Sequence, residues 1–205
     1  MSIVLLRFPG VETTPNGKSR RCPYCDSTII QSWGQQFKSV RDSQTQEIII
    51  HRYRCCTCGR TFRTYPEGID RSLLSQRMHN LAALTFAMGL SVRQVSEAFA
   101  NLGINMSRMT IYRDGREMAL KFNQQGMSKY KQIYLMERTH ITQDKLRAGV
   151  RLVIDLGPGR HIVLGILDEY NPRAVAGWLE PICAEIGAQV YTMDTGKLSS
   201  ISADA

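Results

Sequence analysis

Arg-Cys-Pro-Tyr-Cys runs from Arg21 to Cys25, and Tyr-Arg-Cys-Cys-Thr-Cys-Gly-Arg-Thr-Phe from Tyr53 to Phe62. Each stretch holds two thiols with two residues between them, Cys22 with Cys25 and Cys55 with Cys58. A tight turn over that spacing presents both sulfurs to one ion, and two such knuckles complete the four-thiolate tetrahedron of a closed zinc site. The segments between them, Thr28 to Trp33 and Gln46 to Arg54, have strand character, so the expectation is a zinc ribbon. Disulfides are the competing reading. The chain opens Met-Ser-Ile-Val-Leu-Leu, with no basic region and too short an apolar run for a secretory leader. A reducing compartment, cytoplasmic and nucleoid-associated, is therefore expected, where thiols hold metal. Cys56 competes with Cys58 for the fourth position, and the two-residue gap and Gly59 favour Cys58. Cys183, in a helical pattern, reads as a small core residue.

The chain has 205 residues, 43% hydrophobic and 21% charged, which describes an ordinary globular protein of one large domain or two to three small ones. No apolar run approaches the ~20 residues that span a bilayer, so no membrane partner is expected. The formal net charge of +8 is unevenly placed. Met1 to Tyr130 carries 18 Lys and Arg against 9 Asp and Glu, while the remainder carries 8 against 9. A basic portion joined to a near-neutral one points to a polyanion partner, here double-stranded DNA, although surplus charge can also serve solubility alone.

Along the chain, Ser2 to Phe8 reads as a short apolar strand and Pro9 to Arg21 as a polar arm carrying Lys18, Arg20 and Arg21. Arg52, Arg54, Arg60 and Arg63 crowd the second knuckle, where they can contact phosphates without reading sequence. Three helices follow. Ser72 is expected to cap the first, with Leu74, Met78, Leu81, Leu84 and Met88 on its apolar face and Gly89 as its stop. Ser91 caps a second, with Val92, Val95, Phe99 and Leu102 inward and Gly103 ending it. Ser107 opens a third. The brief breaks between them fit a helix-turn-helix, whose last helix meets base edges. Arg108, Thr110, Arg113 and Arg116, with Asp114, would then face DNA, while Ile111, Met118 and Phe122 turn inward. Arg donates bidentately to guanine, and the Thr methyl can meet a thymine methyl. The bland readings are an Arg113–Glu117 surface ion pair and a bundle that binds no DNA. Gly115 weakens the helix by about 1 kcal/mol relative to Ala.

Beyond the polar stretch Asn123 to Lys129 the period changes. Ile133 to Ile141, Gly149 to Leu156 and His161 to Leu167 read as an antiparallel meander. A helix capped by Asn171 with Pro172 in its first turn follows, with Val175, Trp178, Leu179, Ile182 and Ile186 on one face. Gln189 to Met193 is a further strand, and the chain from Lys197 is expected to fray. The class is thus α+β and multidomain. Its parts are a zinc ribbon with an N-terminal arm at 1–66, a helix-turn-helix at 67–125 and an incomplete α/β unit at 126–205.

This order of parts, with Gly-Leu-Ser-Val-Arg-Gln-Val, Val-Ile-Asp-Leu-Gly-Pro-Gly-Arg and Trp-Leu-Glu-Pro, resembles prokaryotic insertion-sequence transposases of the DDE type. The resemblance implies a ribonuclease H-like C-terminal domain in which three carboxylates hold two Mg²⁺ ions about a scissile phosphate. By position Asp194 matches the second acid. Glu137 falls near the first, where the family has Asp, and Asp144 is an alternative in the following turn. Asp155 lies in a family motif that need not bind metal. The third acid finds no counterpart in the eleven residues after Asp194.

Three functions are therefore carried forward. The first is a zinc-dependent, sequence-specific DNA-binding protein lacking complete catalysis. The second is the N-terminal part of an active transposase, completed by another frame or chain. The third is a protein-interaction module, docking a homo-oligomer or a partner protein at an exposed C-terminal sheet edge.

Overall fold

Two periods, two residues along Glu47–Cys55 and three to four along Gln76–Ala87, make this an α+β chain. The structure, a computed structural model, describes residues 2–17, 21–124, 149–157, 161–167, 171–194 and 197–200. In order the elements are β1 (Ile3–Arg7), β2 (Ile30–Ser39), β3 (Glu47–Cys55), β4 (Thr61–Thr64), α1 (Gln76–Ala87), α2 (Val92–Asn101) and α3 (Arg108–Gln124). Then come β5 (Val150–Asp155), β6 (His161–Leu167), α4 (Pro172–Glu185), β7 (Gln189–Asp194) and β8 (Lys197–Ser200). They fall into two compact units, Val11–Met78 and the remainder. No helix among the described residues is long and apolar enough to cross a membrane.

The Val11–Met78 unit is a three-stranded antiparallel sheet in the order β2-β3-β4. Successive side chains on β3 point to opposite faces, and the burial shows two small cores built that way. Ile48 and Ile50 point to one face and pack with Val40 and Ile69. Tyr53 and Cys55 point to the other and pack with Cys22 and Phe62. The first strand is displaced and longer than the expected Thr28 to Trp33. A register shift between Ser32 and Gln35, with Gly34 at φ 100°, lets pairing resume as far as Ser39. The four-residue strand β4, absent from the sequence reading, pairs with β3 and stacks Phe62 on Tyr53 at 5.6 Å.

Ser72 does not cap the first helix. Its hydroxyl accepts from the Leu74 N–H in a turn, and the helix starts at Gln76. The reason is a buried polar cluster. Asp42 accepts hydrogen bonds from Ser75 Oγ, from Arg77 Nε at 2.7 Å and from Arg77 Nη2, all with essentially no exposure, and this fixes where the helix begins.

In the other unit, α1, α2 and α4 end alike. The N–H of Gly89, Gly103 and Gly187 donates to the carbonyls of Phe86, Ala100 and Ala184, and the next residue's N–H reaches back to Thr85, Phe99 and Cys183. This is the Schellman arrangement, and it supplies the expected stops. Ser91 and Gln94 form a capping box on α2. The other expected cap, Asn171, accepts from the Arg173 and Ala174 N–H groups, and Val175, Leu179, Ile182 and Cys183 are buried on α4.

The five-stranded sheet has the order β6-β5-β1-β7-β8. Two expectations are corrected here. β1 is no part of a ribbon arm: it is the central strand, parallel to β5 and antiparallel to β7. Its run Val4, Leu5 and Leu6 is buried as a central strand requires. And the chain does not fray at Lys197, because β8 pairs with β7 from Tyr191↔Ser200 to Asp194↔Lys197. Of the expected meander, the β5–β6 hairpin is present. The segment Ile133 to Ile141 lies outside the described residues.

Candidate metal centre and nucleic-acid interface

The two cysteine turns are near copies of each other. Asp26 N–H donates to the Cys22 carbonyl and Cys22 N–H to the Ser27 carbonyl, each at 2.9 Å. In the second turn Gly59 N–H donates to Cys55 at 3.0 Å, and Cys55 N–H to Arg60 at 2.9 Å. Asp26 and Gly59, at the same place in each turn, share left-handed φ values of 56° and 71°. Only Gly takes that conformation freely, so Asp26 is the costlier of the two. Ser27 and Thr57 hydroxyls, 2.7 Å apart, join the turns.

This geometry brings the four sulfurs of Cys22, Cys25, Cys55 and Cys58 within 4.8 Å of one another. Cys22 Sγ is 3.8 Å from Cys58 Sγ, and Cys25 Sγ is 3.6 Å from Cys55 Sγ. A Zn–S length of ~2.3 Å implies a tetrahedral edge of ~3.8 Å, so the donors are spaced to hold such an ion. All six cysteines are free thiols. At those separations no pair is bonded as a disulfide, and it is Cys58, not Cys56, that lies in the cluster. Two of these thiols, Cys55 and Cys25, are moved in opposite directions. Hydrogen bonds from backbone N–H groups, that of Cys58 foremost, draw Cys55 down to about 6. Cys25 is pushed up to about 12: the Ser27 backbone favours its thiolate, but burial and the neighbouring thiols outweigh that help. A divalent ion lets all four ionise together. Cys183 is an inert core thiol, buried and pushed up to about 12 by desolvation.

The helix expected to meet base edges is α3. Ser107 Oγ accepts from the Thr110 N–H at 3.1 Å and starts the helix. Ile111, Gly115 and Met118 are buried, which turns Arg108, Met109, Tyr112, Arg113 and Arg116 to solvent. Arg113 is 69% exposed and pairs with Asp114, its own neighbour. Thr110 departs from expectation: it is half-buried and its hydroxyl sits 2.8 Å from Ser107 Oγ, in the cap. Asp114 also turns away from solvent, toward His79 of α1. The side chains of Glu117 and Phe122 lie outside the described set. Met109 and Tyr112, 74% and 48% exposed, were not singled out in the sequence, although each stands four residues before an exposed arginine, Arg113 and Arg116, and so shares its face.

Arg60 and Arg63 are both exposed, but they point differently. Arg60 lies over the Tyr24 ring at 5.1 Å, whereas Arg63 belongs to the sheet, directly opposite Arg52. Lys18 and Arg20 lie outside the described residues, and Arg21 pairs with Asp26.

The side chains of the expected acids lie outside the described set. Glu137 and Asp144 lie outside the described residues, and of Asp194 the backbone alone is described, at the end of β7. Asp155 ends β5, where it accepts from Arg7 Nε and from the Gly157 N–H, both at 2.9 Å. Its bond from the Gly157 N–H closes a turn at the strand end. Among the described residues the cysteines form the one cluster able to hold a metal.

Comparison with protein-family models, with curated proteins and with solved structures gave no match.

Proposed function

We propose that this chain is a zinc-dependent, sequence-specific DNA-binding protein. Its three-stranded unit is a zinc ribbon, and α2 and α3 form a helix-turn-helix whose second helix enters the major groove. The observation that carries this reading is the outer face of α3. Arg113 and Arg116 are exposed on the side opposite the buried Ile111, Gly115 and Met118, and Arg108 is exposed at the first residue of the helix. Such a helix offers base-edge donors from its N-terminal half while the preceding helix braces it. The Schellman turn at Gly103 and the Ser107 cap set the break between the helices.

The role of zinc is structural. Four thiolates close the coordination sphere, leaving no position for substrate, and the metal adds its binding energy to the folding of the ribbon. The order of parts resembles DDE transposases, and the functional claim is one of binding. Selection of bound sequences from a random duplex pool tests the reading. The wild-type chain is expected to enrich a defined site, and Arg113→Ala to relax preference at one position by about 1–3 kcal/mol. Recovery of no preferred site from the wild-type chain would overturn it.

A further inference from the structure

The two small cores of the β2-β3-β4 sheet lie on opposite faces and at opposite ends, so each end has one covered and one open face. At the metal end the covered face holds Tyr53, Cys55 and Phe62. The open face there is lined with arginine. Alternation along β3 puts Arg52 and Arg54 on the side away from Tyr53 and Cys55. The register sets Arg63 of β4 directly opposite Arg52, and Gln31 of β2 and Thr61 of β4 on either side of Arg54. Trp33 belongs to the same face: the Arg54 guanidinium lies 5.2 Å from the centre of its ring.

Like charges directly opposed across a sheet are destabilising. Here nothing offsets them: among the described residues no carboxylate lies within ion-pair distance of Arg52, Arg54 or Arg63. Asp26 is taken by Arg21, and Glu47 stands at the far end of β3. The indole covered by Arg54 orients that guanidinium. A rigid surface carrying three cations in fixed register, with two neutral hydrogen-bonding side chains among them, matches a ligand of regularly spaced anionic oxygens.

We infer that this face contacts the phosphate backbone of duplex DNA, independently of the side chains on α3. The inference rests on the DNA-binding reading and deepens it. It assigns the phosphate contacts near the second cysteine pair to Arg52, Arg54 and Arg63. These contacts add affinity without sequence preference.

The test uses the full zinc-loaded chain and a fluorescent 20-base-pair duplex, titrated at several salt concentrations. Each phosphate contact contributes a slope of roughly −0.9 to log K against log salt. Arg52→Gln with Arg63→Gln is expected to make the slope shallower by about 2, and adding Arg54→Gln by nearly 3, equally on preferred and random duplexes. Restoring charge with Arg52→Lys and Arg63→Lys should recover most of the slope. Because the Gln variants remove a repulsion, their melting temperature should equal or exceed that of the wild type. A wild-type slope in the triple variant, a loss confined to duplex RNA, or a drop of several degrees in melting temperature would overturn the assignment. If the wild type itself binds no duplex, the DNA-binding reading falls instead, so the two failures are distinguishable.

Discussion

Nδ1 of His79 on α1 lies 2.5 Å from Oδ2 of Asp114 on α3, and the other carboxylate oxygen of Asp114 accepts from Arg113 at 3.2 Å. A carboxylate only accepts, so the proton on this side of the imidazole belongs to Nδ1. One carboxylate thus ties the third helix to the first and steadies an arginine on its exposed face. Asp114→Ala removes both links. With both partners about one-sixth exposed, the loss is expected to be about 1–2 kcal/mol, at the lower end for hydrogen bonds to a charged group. Urea unfolding checks the stability, and selection from a random duplex pool checks a relaxed preference at the Arg113 position.

Gly115 is expected to resist replacement although it sits inside a helix. A Cβ there would lie 2.6 Å from Phe86 Cγ and 2.8 Å from Phe86 Cβ. The Phe86 ring is itself fixed edge-on to Tyr112, with centroids 6.2 Å apart. Helix propensity favours Ala by about 1 kcal/mol, but overpacking costs about 1–3 kcal/mol. Gly115→Ala is therefore expected to be neutral to destabilising by about 2 kcal/mol, and a clear gain in thermal stability would contradict the packing described.

The buried pair Asp42–Arg77 should be costly to split. Burial opposes ionisation of Asp42, but Arg77, the Ser75 hydroxyl and the Gln44 N–H outweigh it and hold the carboxyl below its ordinary value. A depressed carboxyl contributes stability that is fully present above its unfolded pKa and is lost as pH falls through the folded one. Acid unfolding should accordingly set in below the ordinary carboxylate range, ~4. Arg77→Met strands the carboxylate and is expected to cost about 3–5 kcal/mol. In that variant the onset of acid unfolding should move to higher pH.

The cysteine assignment is expected to give one zinc per chain by native mass spectrometry. Cys55→Ser should lose the metal and melt the three-stranded unit, as should chelation, since the site's binding energy is folding energy. Cys56→Ser should retain both metal and stability, because the Cys56 thiol stands outside the cluster.

Much of this was legible before any coordinates. The cysteine spacing named the four thiols that the fold brings together, and the glycine stops and Ser91 and Asn171 caps placed five helix ends, because these signals are local. What the sequence hid was long-range. Nothing within Ile3–Arg7 tells that it will lie between β5 and β7 instead of leading into the cysteine sheet. Ser72 reads as a cap on paper, yet the helix begins beside Ser75 and Arg77, both held by Asp42, more than thirty residues earlier. Pro181 inside α4 would stop most helices, yet Leu179, Ile182 and Cys183 stay buried across it. Thr110 looked free to read bases and is spent on its own helix cap.

Binding of the zinc-loaded chain to duplex DNA across a salt series is the most direct measurement. Three exposed arginines on α3 and the cationic sheet face together require an apparent affinity that falls steeply and linearly with log salt, through counterion release. Affinity that stays flat as salt rises, or no binding at low salt, would contradict the central claim.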